Sequence, residues 1–278
     1  MNAKSLKHSA ALLVAAVIWG LAFVAQAKGS SVGAFTITGL RNLIGAAALC
    51  PVIAMMDRTG MTIRRPQRSE DYKKLWLGGA VCGIALFVAA VMQQLGINAG
   101  VMTGKAGFLT AIYILIVPII GLFLRKRCGW NIWVGVAIAL VGLYFLCISG
   151  SFSFQPVDML LIGCAFFFGI QITCIDHFSP LVDPVRLSAI EFLVCGLVSS
   201  ITAVFVEVIP GGGVNWIASL SGWDAWLPIL YLGFLSTGVA YTLQVVGQAG
   251  LNPTVASMIM SMEAVFSVLG GWLIYTSI

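Results

Sequence analysis

Four ionisable side chains, Arg41, Lys105, Glu191 and Glu263, stand inside long apolar stretches of a 278-residue chain. A charge at the centre of a bilayer costs about 3 kcal/mol on insertion scales, so such groups face protein or a wet cavity rather than lipid. The chemistry open to them is recognition. Lys105 offers a cation to an anionic group, with Gly104, Ala106 and Gly107 leaving space beside it, and Glu263 offers a carboxylate to an amine or a proton. By helical rise, Glu263 lies ~16 Å into its stretch and Lys105 ~7 Å into its own. The competing reading is that the two pair with each other or with backbone carbonyls, or that Lys105 snorkels outward. Gln93, Gln94, Gln171 and Gln244 offer hydrogen bonds to a polar substrate. Gln93 and Gln94 are adjacent, ~100° apart on a helix, so only one of them points directly inward. Each Gln also fits an interhelical hydrogen bond. Trp19 and Tyr113 are aromatic candidates for a cavity wall or for packing.

Covalent chemistry finds no comparable set. His8 is terminal, and His177 beside Asp176 has no nucleophile in a matching position. The stretch GVMTGKAG (100–107) lacks the spacing and hydroxyl residue of a phosphate-binding loop, which argues against ATP-driven work by this chain. The seven cysteines (Cys50, Cys82, Cys128, Cys147, Cys164, Cys174, Cys195) have no C-x-x-C spacing, so neither metal nor disulfide framework is indicated and no cofactor is expected.

Composition dictates the solvent. Hydrophobic residues make up 60% of the chain and charged residues 9%, against roughly 25% charged in soluble domains. The mean hydropathy is +1.02. The net charge of +5 forms no patch suited to nucleic acid, because the basic residues gather between apolar stretches. Runs long enough to span a bilayer are expected at 9–27, 33–56, 75–97, 101–124, 129–148, 157–175, 187–209, 225–247 and 252–276. Ala25-Gln26-Ala27 resembles a signal-peptidase site, but the run before it is long for a signal peptide and eight more follow. Basic loop residues set the orientation. Lys4, Lys7, Arg58, Arg64, Arg65, Arg68, Lys73, Lys74, Arg125, Lys126, Arg127 and Arg186 fall on one side, and Lys28 alone on the other. That predicts a multi-pass protein of the cytoplasmic membrane with its N-terminus in the cytoplasm.

An internal repeat of about 150 residues organises the spans. Trp19-Gly20 matches Phe168-Gly169, QQLGINAG (93–100) matches QVVGQAGL (244–251), Gly121 matches Gly271, and Arg41 falls opposite Glu191. Loop lengths recur in the same order. Five helices per unit is an odd number, so the second copy must enter the membrane upside down, a plan used by secondary transporters around a shared site. The expected fold class is therefore an all-α membrane protein with nine transmembrane helices of a ten-helix plan. Its two inverted repeats occupy 1–150 and 151–278, the second incomplete because the repeat calls for a tenth helix near 279–298. Arg41 and Glu191, at equivalent places, are expected to form an ion pair across the repeat interface, with a structural or gating role.

The sequence resembles the EamA type of the drug/metabolite transporter superfamily over essentially its whole length. The likeness rests on AVIWGLAFVAQ (16–26), TGLRNLIGAAAL (38–49), GKAGFLTAIYILIVPIIGLFLRKR (104–127) and the segment from Tyr231 to Ile274. The family pattern usually carries Pro where this chain has Ala264, and it usually includes a tenth helix. The resemblance implies ten helices in two inverted repeats around a cavity bordered mainly by spans three, four, eight and nine, which would place Lys105 and Glu263 on its walls. It also implies transport of amino acids, drugs or other metabolites, more often outward. The expected partners are a small-molecule substrate and the lipid bilayer, with a coupling proton and a second copy of the chain as further candidates. Two rival readings are a truncated, non-transporting membrane protein and a membrane-embedded enzyme built around Asp176-His177.

Overall fold

The computed structural model describes residues 3–62, 64–125, 129–147, 154–211 and 213–275. Its first eight helices are α1 (Ala3–Lys28), α2 (Ala34–Thr59), α3 (Ser69–Asn98), α4 (Thr103–Ala111), α5 (Tyr113–Phe123), α6 (Trp130–Cys147), α7 (Asp158–Phe178) and α8 (Pro184–Ala203). A π-helical stretch, Val204–Val208, continues α8. Then come α9 (Gly213–Ser219), α10 (Trp223–Leu230), a second π-helical stretch (Tyr231–Tyr241), α11 (Thr242–Gln248), α12 (Pro253–Met260) and α13 (Glu263–Tyr275). No strand occurs among the described residues. Among the described residues eight spans are long and apolar enough to cross a membrane, and α6 is a shorter apolar helix. Each of the nine expected stretches is thus helical, with ends displaced by a few residues. Lys126, Arg127 and Cys128 lie outside the described residues.

Local chemistry sets the helix ends. Asp183 caps α8 by accepting from the Arg186 amide (3.0 Å), and Pro184 supplies the first helical residue, whose missing N–H costs nothing there. Asn252 and Pro253 start α12 in the same way. Gly60 closes α2 in the left-handed region (φ 68°), donating its amide to the Met56 carbonyl.

Two spans are interrupted. Between α4 and α5 the Ile112 amide reaches back only to the Leu109 carbonyl (3.4 Å), and Leu115 to Ile112 (2.9 Å). Downstream, Pro118 brings no amide to bond the Ile114 carbonyl. Between α12 and α13, Met262 bonds Ile259 (3.2 Å) and Ala264 bonds Ser261 (3.1 Å). These are three-residue turns inside four-residue helices. Tyr113 and Glu263, the first residues of α5 and α13, are 150 positions apart.

The same spacing recurs in the packing. α2 lies chiefly on α8, α3 on α7 and α8, and α1 on α13. A Cβ on Gly83 would press on the Glu191 carbonyl and Val194, while one on Gly233 would press on the Arg41 carbonyl and Ile44. Gly20 meets Phe266 in the way Gly169 meets Ile116. Close approach therefore needs glycine at these positions. Gly83→Val and Gly233→Val should each cost about 1–3 kcal/mol by overpacking, lowering the unfolding midpoint in detergent. Gly142→Val should not, because nothing lies within 4 Å of that position. The largest buried cluster, including Leu12, Leu86, Val117, Ile172, Phe192 and Met260, fills the bundle centre, whereas Phe123, Trp130, Trp223 and Trp272 point outward.

Candidate functional site

At the bundle centre a cavity holds about 430 Å³ of atom-free space. Both interrupted spans reach it, through Tyr113 and through Met260 and Glu263. Its walls also carry Trp19, Arg41, Gln93 and Gln244. The Trp19 indole donates to the Ser236 carbonyl in the π-helical stretch (3.3 Å) and meets the Tyr241 ring edge-on, centroids 4.8 Å apart. Tyr113 meets Phe168 in the same manner at 6.5 Å.

The polar groups of this cavity are unusual in what they leave open. Arg41 is 2% exposed and its Nε has no partner. The Tyr113 hydroxyl lies beside the Glu263 carboxyl as its electrostatic and hydrogen-bonding neighbour. Gln244 Oε1 is buried without a donor. Buried polar atoms of native proteins are normally satisfied, so a cation, a carboxyl and an amide oxygen converging here make this cavity the candidate recognition site. A bound molecule carrying both charges would satisfy them together.

Six of the residues singled out in the sequence, Trp19, Arg41, Gln93, Tyr113, Gln244 and Glu263, are brought together by this cavity. The others stand apart. Gln94, next to Gln93, turns to Asn98 Oδ1 (2.8 Å) and the Gln26 carbonyl (3.3 Å). Gln171 is one step behind: Gln244 Nε2 donates to its Oε1 (3.1 Å), and its own Nε2 donates to Glu191 Oε1 (2.7 Å).

Lys105 does not line the cavity; its Nζ contacts Asp158 Oδ2 at 2.7 Å, tying α4 to α7. Asp158 also accepts from the Gln155 amide (2.8 Å) and its side chain is 0% exposed. Lys105→Met would strand that carboxylate. A loss of about 3–5 kcal/mol is expected, read as a lower unfolding midpoint and largely recovered in Lys105→Met/Asp158→Asn.

The expected Arg41–Glu191 ion pair is not formed. Arg41 faces the cavity, and Glu191 is bonded to Gln171 with Oε2 unpartnered. The reason is geometric. α2 and α8 run antiparallel, with Gly39 against Ser200 and Gly196 against Leu43. In that register Arg41 lies level with about residue 198 and Glu191 with about residue 48, ~10 Å apart along the axis. Residues 150 positions apart on these two antiparallel helices meet only at the midpoint of the crossing.

What sequence reasoning missed lies at the two ends of this helix pair. At one end Arg186 Nη2 donates to both oxygens of Asp57 (2.7 and 2.6 Å), with Thr62 Oγ1 on Oδ1 (2.7 Å). At the other, Glu207 accepts from the amides of Phe35 and Thr36 (2.8 Å each) and from Thr36 Oγ1 (2.6 Å). It thereby caps α2, whose N-cap position is Gly33; a Cβ there would overlap the Glu207 carboxylate. Trp216 Nε1 adds a bond to Thr36 Oγ1 (2.8 Å). Asp57 and Glu207 are 150 residues apart, as are Thr36 and Arg186, so the repeat spacing was the signal that could have found them.

Comparison with known proteins bears on this arrangement. The EamA-like transporter family matches twice, over residues 7–148 and 155–277. An uncharacterized transporter of Archaeoglobus fulgidus is 30% identical over 268 residues, covering 96% of this chain and 77% of its own length. A protein of known crystal structure, 19% identical, superposes with a TM-score of 0.72 over 97% of this chain and 88% of its own, a likeness of fold alone. With the family matched across both halves, this chain is a multi-pass membrane protein belonging to the EamA-like transporter family, within the drug/metabolite transporter superfamily.

Proposed function

We propose that the chain is a secondary carrier for a small molecule bearing both a carboxylate and an amine, such as an amino acid, working by alternating access. The observation that carries this reading is the central cavity where two interrupted spans meet, with Arg41 and Glu263 on its walls. Arg41 takes the carboxylate and Glu263 the amine. Gln244 Oε1 accepts a further N–H, and Trp19 and Tyr241 pack against the apolar part. Interrupted helices at a repeat interface are where secondary transporters place their substrates.

The inverted repeat, 1–150 and 151–278, is part of the proposal. It is supported by the two family matches and by interruptions, glycine contacts and clasps that recur 150 residues apart. The two halves rock about the cavity, opening it to each face in turn. The basic residues gathered in the loops on one side support a cytoplasmic membrane location with the N-terminus inside. On this reading Lys105 holds Asp158 and Gln94 holds Asn98, so both shape the bundle rather than bind substrate.

The test is flux in proteoliposomes against a panel of labelled amino acids, their methyl esters and their N-acetyl forms. Saturable uptake of a free amino acid, competed by neither blocked form, is expected. Uptake competed equally by ester or N-acetyl compounds contradicts the assignment of Arg41 and Glu263. No saturable flux for any compound favours a non-transporting membrane protein.

A further inference from the structure

We infer that Glu191 is a second ligand site, for a proton, linked to the central cavity through Gln171 and Gln244; this rests on the carrier reading above. The Glu191 side chain is 0% exposed, and α3 packs so closely that Gly79 and Gly83 touch its backbone. Oε1 accepts one amide N–H from Gln171, while Oε2 has no partner. The titratable groups that face it are Cys82 from α3, Cys174 from α7, Cys195 from its own helix and Tyr241 from the π-helical stretch. The nearby cation is Arg41 of α2, an electrostatic neighbour of Cys195 and Tyr241, and it forms no ion pair with Glu191. A carboxylate desolvated in such a place without a counter-ion is not held as an anion; it takes a proton instead.

A structural acid would be expected to have both oxygens satisfied. Here the oxygen without a partner among the described residues is the one that carries the proton. The proton therefore leaves only to water, when rocking of α8 against α3 and α7 admits water to Oε2. The acid then becomes a carboxylate, and the reverse step takes a proton from water on the other face. The chain Gln244 to Gln171 to Glu191 runs one way, each amide N–H donating to the next acceptor. Gln244 ends it at the cavity with its own oxygen open. A substrate N–H donated to that oxygen polarises both amides toward Glu191, since hydrogen bonds in series reinforce one another. Substrate occupancy and the protonation state of Glu191 are thereby coupled across one hydrogen-bonded row.

Two measurements on full-length protein test this. In proteoliposomes, Glu191→Gln, which mimics the neutral acid, should exchange substrate within about threefold of wild type yet lose at least tenfold of the accumulation driven by an imposed pH gradient. Glu191→Asp should restore part of that drive. A pH-driven accumulation undiminished in Glu191→Gln overturns the inference, as does wild-type flux indifferent to the gradient. Separately, infrared difference spectra of purified protein titrated with acid and base should show a protonated-carboxyl band that vanishes in Glu191→Gln. Its persistence unchanged in the variant overturns the proton site whether or not flux is found. Wild-type protein with no exchange at all but with the band lost in the variant would instead sink the carrier reading and leave Glu191 as a buried proton site.

Discussion

Glu263→Gln should lower the transport efficiency for an amino acid by about 10- to 150-fold, and Arg41→Gln by a similar factor. In the proposed binding mode each substitution removes one charge-assisted contact to substrate. Hydrogen bonds to charged groups contribute about 1.5–3 kcal/mol, and 1.4 kcal/mol is a factor of ten. The two losses should differ in kind. Arg41→Gln should abolish discrimination between a free amino acid and its methyl ester, because the carboxylate then has no counter-ion at the site. Glu263→Gln should abolish discrimination against N-acetylation. Neither change should unfold the protein, since neither side chain holds an ion pair among the described residues and both face the cavity. Competition assays over the four compounds read this directly. A Glu263→Gln variant with wild-type selectivity would remove the acid from the site.

The second large effect concerns the clasps at the ends of α2 and α8. Asp57 and Arg186 make a two-pronged contact whose side chains are 21% and 15% exposed. Glu207 supplies the missing cap of α2 at the other end. Both clasps are formed in this structure, so on the carrier reading opening toward either face releases the clasp on that face. Asp57→Arg and Arg186→Asp should each slow transport more than tenfold by placing like charges together. Asp57→Arg/Arg186→Asp restores the opposite pairing and should recover at least a third of the wild-type rate. Glu207→Ala leaves two amides of α2 uncapped and should bias the protein toward the state open on that face. Capping losses run to about 0.5–2 kcal/mol, which shifts such an equilibrium by roughly 2- to 30-fold. A double swap as inactive as the single ones would show that Asp57 and Arg186 are not a gate.

Much of this architecture could be read from the sequence because apolar span length and basic loop residues are one-dimensional signals. All nine stretches became helices for that reason. Residues that serve the cavity directly, Arg41, Tyr113, Gln244 and Glu263, were visible as polar groups that hydrocarbon would not tolerate. What could not be read was which polar group meets which. Lys105 and Asp158 pair across helices whose mutual rotation no periodicity encodes. Arg41 and Glu191 share a place in the 150-residue spacing but not a depth, because α2 and α8 run antiparallel. The interruption at Ser261–Met262 had no proline to announce it, since the residue after Glu263 is Ala264. Tyr241 went unnoticed because an aromatic inside an apolar span looks like packing until its neighbours are known.

The central claim is that one cavity serves both faces, and the most direct test is its accessibility. In a cysteine-free background, Ala22→Cys places a thiol on the cavity wall next to Phe23. Membrane-impermeant maleimide should label it from the outer face and, in inverted vesicles, from the inner face, and saturating substrate should slow both reactions at least tenfold. Labelling from one face only, at a rate that substrate leaves unchanged, would contradict alternating access at this site.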